Sequence, residues 1–375
     1  MYKRPVEILA SRPADVRLPA PLRSAARKVG VTRIARVTGL DRSGIEVACA
    51  VRPIGHVLQV SNGKGTTFRE AARGAVLEAA ELSAAETPER AALRFGSARE
   101  LAAQGARVVR PEALGAERPL AAARMAWVEG RELRSGRPTW VPASAVFCPP
   151  AGGAFLGLAA APWTSNGMGA HWNRRGALLH ALLEAAERDR LARAFPRGFT
   201  ARSVAACLLD RRGAASAGPG ALALADRIAA RGFEVFLLDL TAPGDLPVAA
   251  ALLADRLGGP VPLAAGYAAG LDRERALRGA LLEAAQSRLT DIHGAREDVA
   301  PSDPGAMEEL LRVCRRARRR RPPARAAPPP RSLRALARLV ERGGAPAVAV
   351  DLPPPAPGLH VVKVLSPSLR RSALL

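Results

Sequence analysis

The chain has 375 residues, 48% of them apolar and only 4% aromatic, so a core of ample size must be built mainly from Ala, Leu and Val. Its formal charge is +22, yet only Lys3, Lys28, Lys64 and Lys363 are lysines, and all the other cations are arginine. No apolar run approaches the roughly 18 residues of a membrane span, "MYKRPVEILASRP" lacks the apolar segment of a signal peptide, and Cys49, Cys148, Cys207 and Cys314 form no CxxC pair, which fits reduced thiols in a cytoplasmic protein.

Surfaces that track phosphate backbones usually combine both cations with aromatics. Uniform enrichment in Arg, Ala and Gly instead fits a compositional bias, so nucleic-acid binding is disfavoured, and an acidic peptide or partner is the remaining reading of the charge.

In chain order, residues 1–28 read as an irregular Pro- and Arg-rich arm, and one domain is expected over 29–375. "VGVTRIARVTGLDRSGIEVACAVRP" gives two short strands around the turn "LDRSG". "HVLQV" is a further strand candidate, followed by a loop "SNGKGTT" and a helix over about 68–82; residues 107–150 are rich in strand and turn signals. A long helix is expected over 174–194, then helix and buried strand in "ALALADRIAARG" and "FEVFLLDL", a strand in "PVAAALLA" and a third long helix over about 273–288. The stretch 315–331, "RRARRRRPPARAAPPPR", has the composition of a flexible loop. Order returns with the helix "SLRALARLVERGG" and the strands "APAVAVDL" and "HVVKVL", which makes the chain a mixed α/β protein.

A unit recurs along this order. "RGAVLEAAE" (73–81) follows "SNGKG", "RGALLHALLEAAE" (175–187) follows "SNGMG", and "RGALLEAAQ" (278–286) follows "AGYAAG". Ala, Leu and Glu are common helix formers, so "LLEAA" alone says little; the paired glycine loops say more. A glycine loop opening a helix can present backbone N–H groups to phosphate, and Lys64 adds a point charge, although no Walker pattern is present.

Glu184, Glu187 and Arg188 share one face of their helix. By spacing alone the plainer reading is a solvated face with an i,i+4 ion pair worth about 0.3–0.5 kcal/mol. The alternative is metal binding: magnesium in phosphate chemistry is held by one or two carboxylates plus phosphate oxygens, and Glu78/Glu81 with Glu184/Glu187 could supply them from two helices. The five histidines make no zinc spacing, no G-x-S-x-G elbow occurs, and no G-x-G-x-x-G supports hydride transfer.

The blocks "SNGKGTTFREAARGAVLEAAE", "SNGMGAHWNRRGALLHALLEAAERD" and "EAAQSRLTDIHGARED", in this order, resemble the YcaO family of ATP-dependent peptide-modifying enzymes over roughly 29–366. The upstream segment is most similar to the TfuA-associated branch, linked to peptide thioamide formation. The resemblance implies ATP and Mg2+ as cofactors, with Glu78, Glu81, Glu184 and Glu187 as magnesium ligands. It implies nucleotide contacts at Ser61, Lys64, Asn166, Arg188, Gln286, Arg288 and Arg296, with Glu187, Arg188 and Gln286 closest to the chemistry. Gly74 and His171 depart from the family's usual serine and glycine, and the last residues lack the proline-rich end of the azoline-forming branch.

The implied reaction phosphorylates a peptide amide oxygen. Without that step the nucleophile would have to expel an oxygen of water-like basicity, pKa about 15.7; afterwards the leaving group is a phosphate with a second pKa of about 6. Sulfide as nucleophile would give a thioamide, and a neighbouring Cys, Ser or Thr an azoline. Implied partners are a peptide or protein substrate and a TfuA-like or leader-peptide-binding protein, with room for a homodimer. The opposing class is a non-catalytic ATP-binding or arginine-rich nucleic-acid-binding module.

Overall fold

A computed structural model describes residues 18–88, 91–116, 118–150, 156–159, 163–259, 261–294, 304–317 and 328–370. Helix α1 (Ala20–Lys28) leads into strands β1 (Arg33–Arg36), β2 (Glu46–Val51) and β3 (Val60–Gly65), then α2 (Phe68–Ala85). Strand β4 (Leu93–Gly96), α3 (Ala98–Ala103), β5 (Met125–Glu132), β6 (Pro138–Pro142) and β7 (Met168–His171) precede α4 (Arg174–Ala194). Helices α5 (Ala201–Cys207), α6 (Arg211–Ala217) and α7 (Pro219–Ala229) lead to β8 (Phe233–Asp239), β9 (Val248–Asp255), β10 (Leu263–Ala269) and α8 (Arg273–His293). The chain continues through α9 (Pro304–Arg316), α10 (Leu333–Glu341), β11 (Val348–Leu352) and β12 (His360–Leu365).

Three antiparallel sheets result, in the orders β1-β2-β3, β4-β5-β11-β12-β7 with β6 beside β5, and β10-β9-β8. Each ends on an edge strand (β3, β7 or β10), and each edge strand runs directly into a long helix (α2, α4 or α8). The sequence sets those helix starts: Thr67, Asn173 and Asp272 accept N–H bonds from Glu70, Gly176 and Arg275, caps worth about 1 kcal/mol each. Each helix packs on its own edge strand and on another unit's: α2 on β7, α4 on β10, α8 on β3. The ring of three units closes on itself.

A strand glycine makes each of these contacts close. A Cβ on Gly63 would lie 2.0 Å from the Ala71 carbonyl oxygen of α2, one on Gly169 2.3 Å from that of Ala177 in α4, and one on Gly266 2.4 Å from that of Ala280 in α8. The strand backbones therefore lie directly against helix faces of small residues, among them the buried alanines Ala71, Ala177 and Ala280.

Several expectations change. "SNGKG" is strand β3 rather than a loop, "HVLQV" joins it only at Val60, and "AGYAAG" belongs to strand β10. Glycine and polar residues weaken the strand signal there, but pairing with β2 or β9 overrides it. The letters "SNG-x-G" are also out of step: Gly63 corresponds structurally to Gly169, not Gly167, which turns the chain ahead of β7 at φ +78°. Part of the arm, Ala20–Lys28, is helical because Leu22, Ala25 and Ala26 bury one face. The second and third long helices are in place, with α8 running on to His293. Of the arginine loop, Arg315 and Arg316 end α9, and residues 318–327 lie outside the described residues. The four cysteines form no disulfide, and among the described residues no helix is long and apolar enough to cross a membrane.

Candidate active site

The carboxylates of the repeated helices meet where the three units close. On α2, Glu78 accepts the N–H of Asn62 on the open edge of β3 at 2.8 Å, and Glu81 accepts that of Ala170 on the open edge of β7 at 2.7 Å. Each member of the pair thus caps a different sheet. On α4, Glu184 and Glu187 flank Arg188, whose guanidinium lies 3.6 and 3.5 Å from them. On α8, Glu283 accepts from Lys64 Nζ at 2.8 Å, so the lysine of "SNGKG" reaches across to the third unit.

The electrostatics show carboxylates crowded together. Burial raises the pKa of Glu81 well above the usual range, and Glu184 and Glu78 add to it. Glu184 is raised by burial against the opposing pull of Arg188 and Lys363. Glu187 is pushed up to about 8 by burial and then by Glu283. Burial works against the charge of Lys64, but Glu283, Glu187 and Glu78 outweigh it and raise its pKa. Glu187 Oε1 and Arg188 Nε are buried with no hydrogen-bond partner.

These groups fit a cation and an anion together. A buried carboxylate oxygen that makes no hydrogen bond and has only a long contact to Arg188, among carboxylates that repel one another, favours a divalent cation; the guanidinium N–H without a hydrogen bond favours phosphate or carboxylate. Among the described residues no three His, Cys, Asp or Glu side chains form a ready-made ion cage. Magnesium in phosphate chemistry takes one or two carboxylates and leaves its other positions to water and phosphate.

The remaining expected residues separate. Gln286 is half-buried one turn beyond Glu283, and Asn166 is half-buried in the turn before β7. Ser61 is 3% exposed and points to the α2 side of β3, opposite Lys64. Arg288 moves out of the site altogether. Its side chain is 1% exposed, with Nε on Asp41 at 3.0 Å, Nη2 on Asp255 at 2.7 Å and Nη1 on the Val261 carbonyl, so all three nitrogens serve a buried cluster. Arg296 lies outside the described residues.

Sequence reasoning missed Glu283, Tyr267 and Lys363. Tyr267, buried on β10, has its hydroxyl pKa raised by burial and by Glu283. Lys363 of β12, 2% exposed, donates to the Thr164 carbonyl, lies 5.0 Å from the Trp163 ring and bears on both Glu81 and Glu184. A signal was available: two of only four lysines in an arginine-rich chain, Lys64 and Lys363, face this cluster. Immediately after Arg188, Asp189 is 1% exposed and accepts from Arg193 Nε at 2.8 Å, Arg342 Nε at 3.1 Å and the Arg370 backbone N–H at 2.9 Å. Arg342, whose other arm holds Asp245, is the one non-glycine with positive φ among the described residues, at 49°.

Fold and site together define an α/β protein of three strand–helix units closed around a carboxylate cluster. The sequence profile of the YcaO family, described as an ATP- and Mg2+-binding cyclodehydratase, matches residues 62–370. The chain belongs to the YcaO family. The uncharacterized protein in the tfuA 3′ region of Rhizobium leguminosarum bv. trifolii is 30% identical over 376 aligned positions, spanning 93% of this chain and 86% of that protein. An uncharacterized protein of Methanothermobacter thermautotrophicus is 33% identical over 282, spanning 73% and 70%. Among solved structures, YcaO from Methanopyrus kandleri bound with AMPPCP and Mg2+ superposes with a TM-score of 0.63 at 24% identity, covering 92% of this chain and 87% of that one. A heterocyclase in complex with substrate and cofactor gives 0.69 at 19% identity, covering 93% of this chain and 52% of that longer one. These structural likenesses establish the shared fold.

Proposed function

We propose that this chain uses ATP and magnesium to phosphorylate the oxygen of a peptide backbone amide, in the service of thioamide formation. The observation that carries the reading is the repelling set of half-buried Glu81 and Glu184 and buried Glu187 beside Arg188, with one carboxylate oxygen and one guanidinium nitrogen making no hydrogen bond. The family's description and the nucleotide-bound Methanopyrus structure support it.

Glu78, Glu81, Glu184 and Glu187 are the residues that would hold magnesium, which when bound offsets phosphate charge. Lys64, Arg188, Asn166 and Gln286 are assigned to the nucleotide; Ser61, on the other face of β3 from Lys64, and Arg288, engaged by Asp41 and Asp255, are not. Arg188, held by Glu184 and Glu187, would stabilise charge on the transferring phosphoryl group. In the reaction the amide oxygen displaces ADP from the γ-phosphorus. Sulfide then adds to the amide carbon, and phosphate leaves with the former amide oxygen.

The tfuA-region relative supports the thioamide outcome. An azoline-forming cyclodehydratase is the second reading, favoured by the family's description and by the heterocyclase likeness. A TfuA-like or leader-peptide-binding partner, a cytoplasmic setting and self-association into a homodimer complete the proposal. Calorimetry with a non-hydrolysable ATP analogue should show binding that requires magnesium; no binding sinks the reading. Mass spectrometry of a peptide treated with chain, partner, ATP and sulfide then separates the outcomes. A thioamide gains mass as oxygen becomes sulfur, whereas an azoline loses one water.

A further inference from the structure

Away from the carboxylate cluster, two cavities adjoin beside β5, β6 and α10. One, of about 290 Å³, is lined by Arg134, Arg137, Arg334 and Arg338 with Glu132 and Glu341. The other, of about 370 Å³, is lined by Arg107, Arg110 and Thr139 and walled by Val108, Val348 and Pro367. Glu132 and Pro346 line both, which makes them one groove.

Its charge is built from the inside. Glu132, 4% exposed, accepts from Arg107 Nη2 at 2.7 Å, from Arg137 Nε at 3.2 Å and from the Ser135 hydroxyl. Glu341, 1% exposed, accepts from Arg134 Nη1 at 3.1 Å and from the Ala347 N–H at 2.9 Å. Two buried carboxylates thereby fix three guanidinium groups whose side chains stay about half exposed, at 49%, 58% and 50% for Arg107, Arg137 and Arg134. Six lining arginines less two carboxylates leave four positive charges in excess. Independently, Thr139 Oγ1 is buried and has no hydrogen-bond partner, an arrangement that costs stability unless something bonds to it.

We propose that this groove seats an extended acidic segment of the peptide substrate, remote from the amide that is modified. The idea rests on the reading that the substrate is a peptide. Held guanidinium forks match carboxylates bidentately, and the Val and Pro walls take the aliphatic side chains that alternate with them in an extended chain. No lining residue of either cavity is aromatic, so bases would find no stacking surface. The groove is linked to the carboxylate cluster through the fold: Glu341 is followed by Arg342, which grips Asp189 next to Arg188.

The test is fluorescence anisotropy at physiological salt with a short labelled peptide of Glu, Val and Gly, its neutral Gln-for-Glu twin and a labelled oligouridylate. Arg334→Glu with Arg338→Glu, both exposed on α10, should weaken the acidic peptide at least about tenfold. Arg202→Glu with Arg212→Glu, the same charge change elsewhere on the surface, should alter it less than about twofold. Thr139→Val should weaken the peptide while leaving the melting temperature unchanged or higher, since it deletes an unsatisfied hydroxyl. Equal losses from both arginine pairs, equal binding of the neutral twin, or tighter groove-dependent binding of the oligouridylate would each overturn the proposal. Magnesium-dependent binding of the ATP analogue is measured on the same samples. Its absence with groove dependence intact defeats the activity reading and upholds the groove; the converse defeats the groove alone.

Discussion

Glu187 has a side chain only 9% exposed, one oxygen that makes no hydrogen bond, and Glu184 and Glu283 as neighbours. On a solvated helix face, Glu187→Gln would cost at most about 0.5 kcal/mol and leave catalysis alone. Here it removes a carboxyl whose charged form burial and Glu283 already oppose. The apo protein should melt no lower than wild type, while magnesium-dependent turnover falls at least about a hundredfold, roughly 2.7 kcal/mol of transition-state stabilisation. Glu78→Gln should match it in turnover, because Gln can still accept the Asn62 N–H but lacks the charge. Paired thermal melts and ATP turnover decide, and two well-folded variants with near wild-type rates would end the metal assignment. Lys363 is the opposite case. Lys363→Met takes a buried cation from beside Glu81 and Glu184, so urea denaturation without magnesium should show a loss of about 3–5 kcal/mol. Magnesium with ATP analogue should restore part of it by binding the folded state; an unchanged midpoint would show that Lys363 neutralises nothing.

The strand–helix units separate what local sequence encodes from what only the assembled fold decides. Helices α2, α4 and α8 are legible because their alanine and leucine stripes recur at helical spacing behind the caps Thr67, Asn173 and Asp272. Glu184, Glu187 and Arg188 are legible as one face for the same reason. Strands β3 and β10 are not, since "SNGKG" and "AGYAAG" look like turns until a partner strand and a helix backbone lie on either side. Arg288 fails differently: a motif position carries no information about Asp41 and Asp255, which arrive from distant segments and claim its guanidinium. The glycine contacts can be tested directly. Gly169→Ala places a methyl 2.3 Å from the Ala177 carbonyl, backbone that cannot swing aside, and should cost about 1–3 kcal/mol or more. Gly136→Ala meets nothing within 4 Å and has only its φ of +74° to resist it, about 1–2 kcal/mol. Equal denaturation midpoints for the two variants would mean that α4 yields and the close contact is not required.

At the scale of the whole molecule, the net charge of +22 includes a cationic groove at α10 whose arginines are held by buried carboxylates. On the two proposals above, peptide capture and amide activation lie at different places on one chain, and a partner that delivers the peptide to both should raise turnover. The purified chain alone is expected to modify peptide slowly or not at all, with a TfuA-like protein restoring the rate; full activity without added protein, followed by mass spectrometry, would refute this. The Asp189 latch sets a last condition. Ser368, through its carbonyl, and Arg370, through its N–H, are pinned by Arg193 and Asp189, on the helix turn that follows Glu187 and Arg188. A design that trims the chain from Ser366 onward therefore cuts an internal brace rather than a loose tail. Hybrid proteins meant to borrow this catalytic body should carry the brace with them, and should place their junctions ahead of α1.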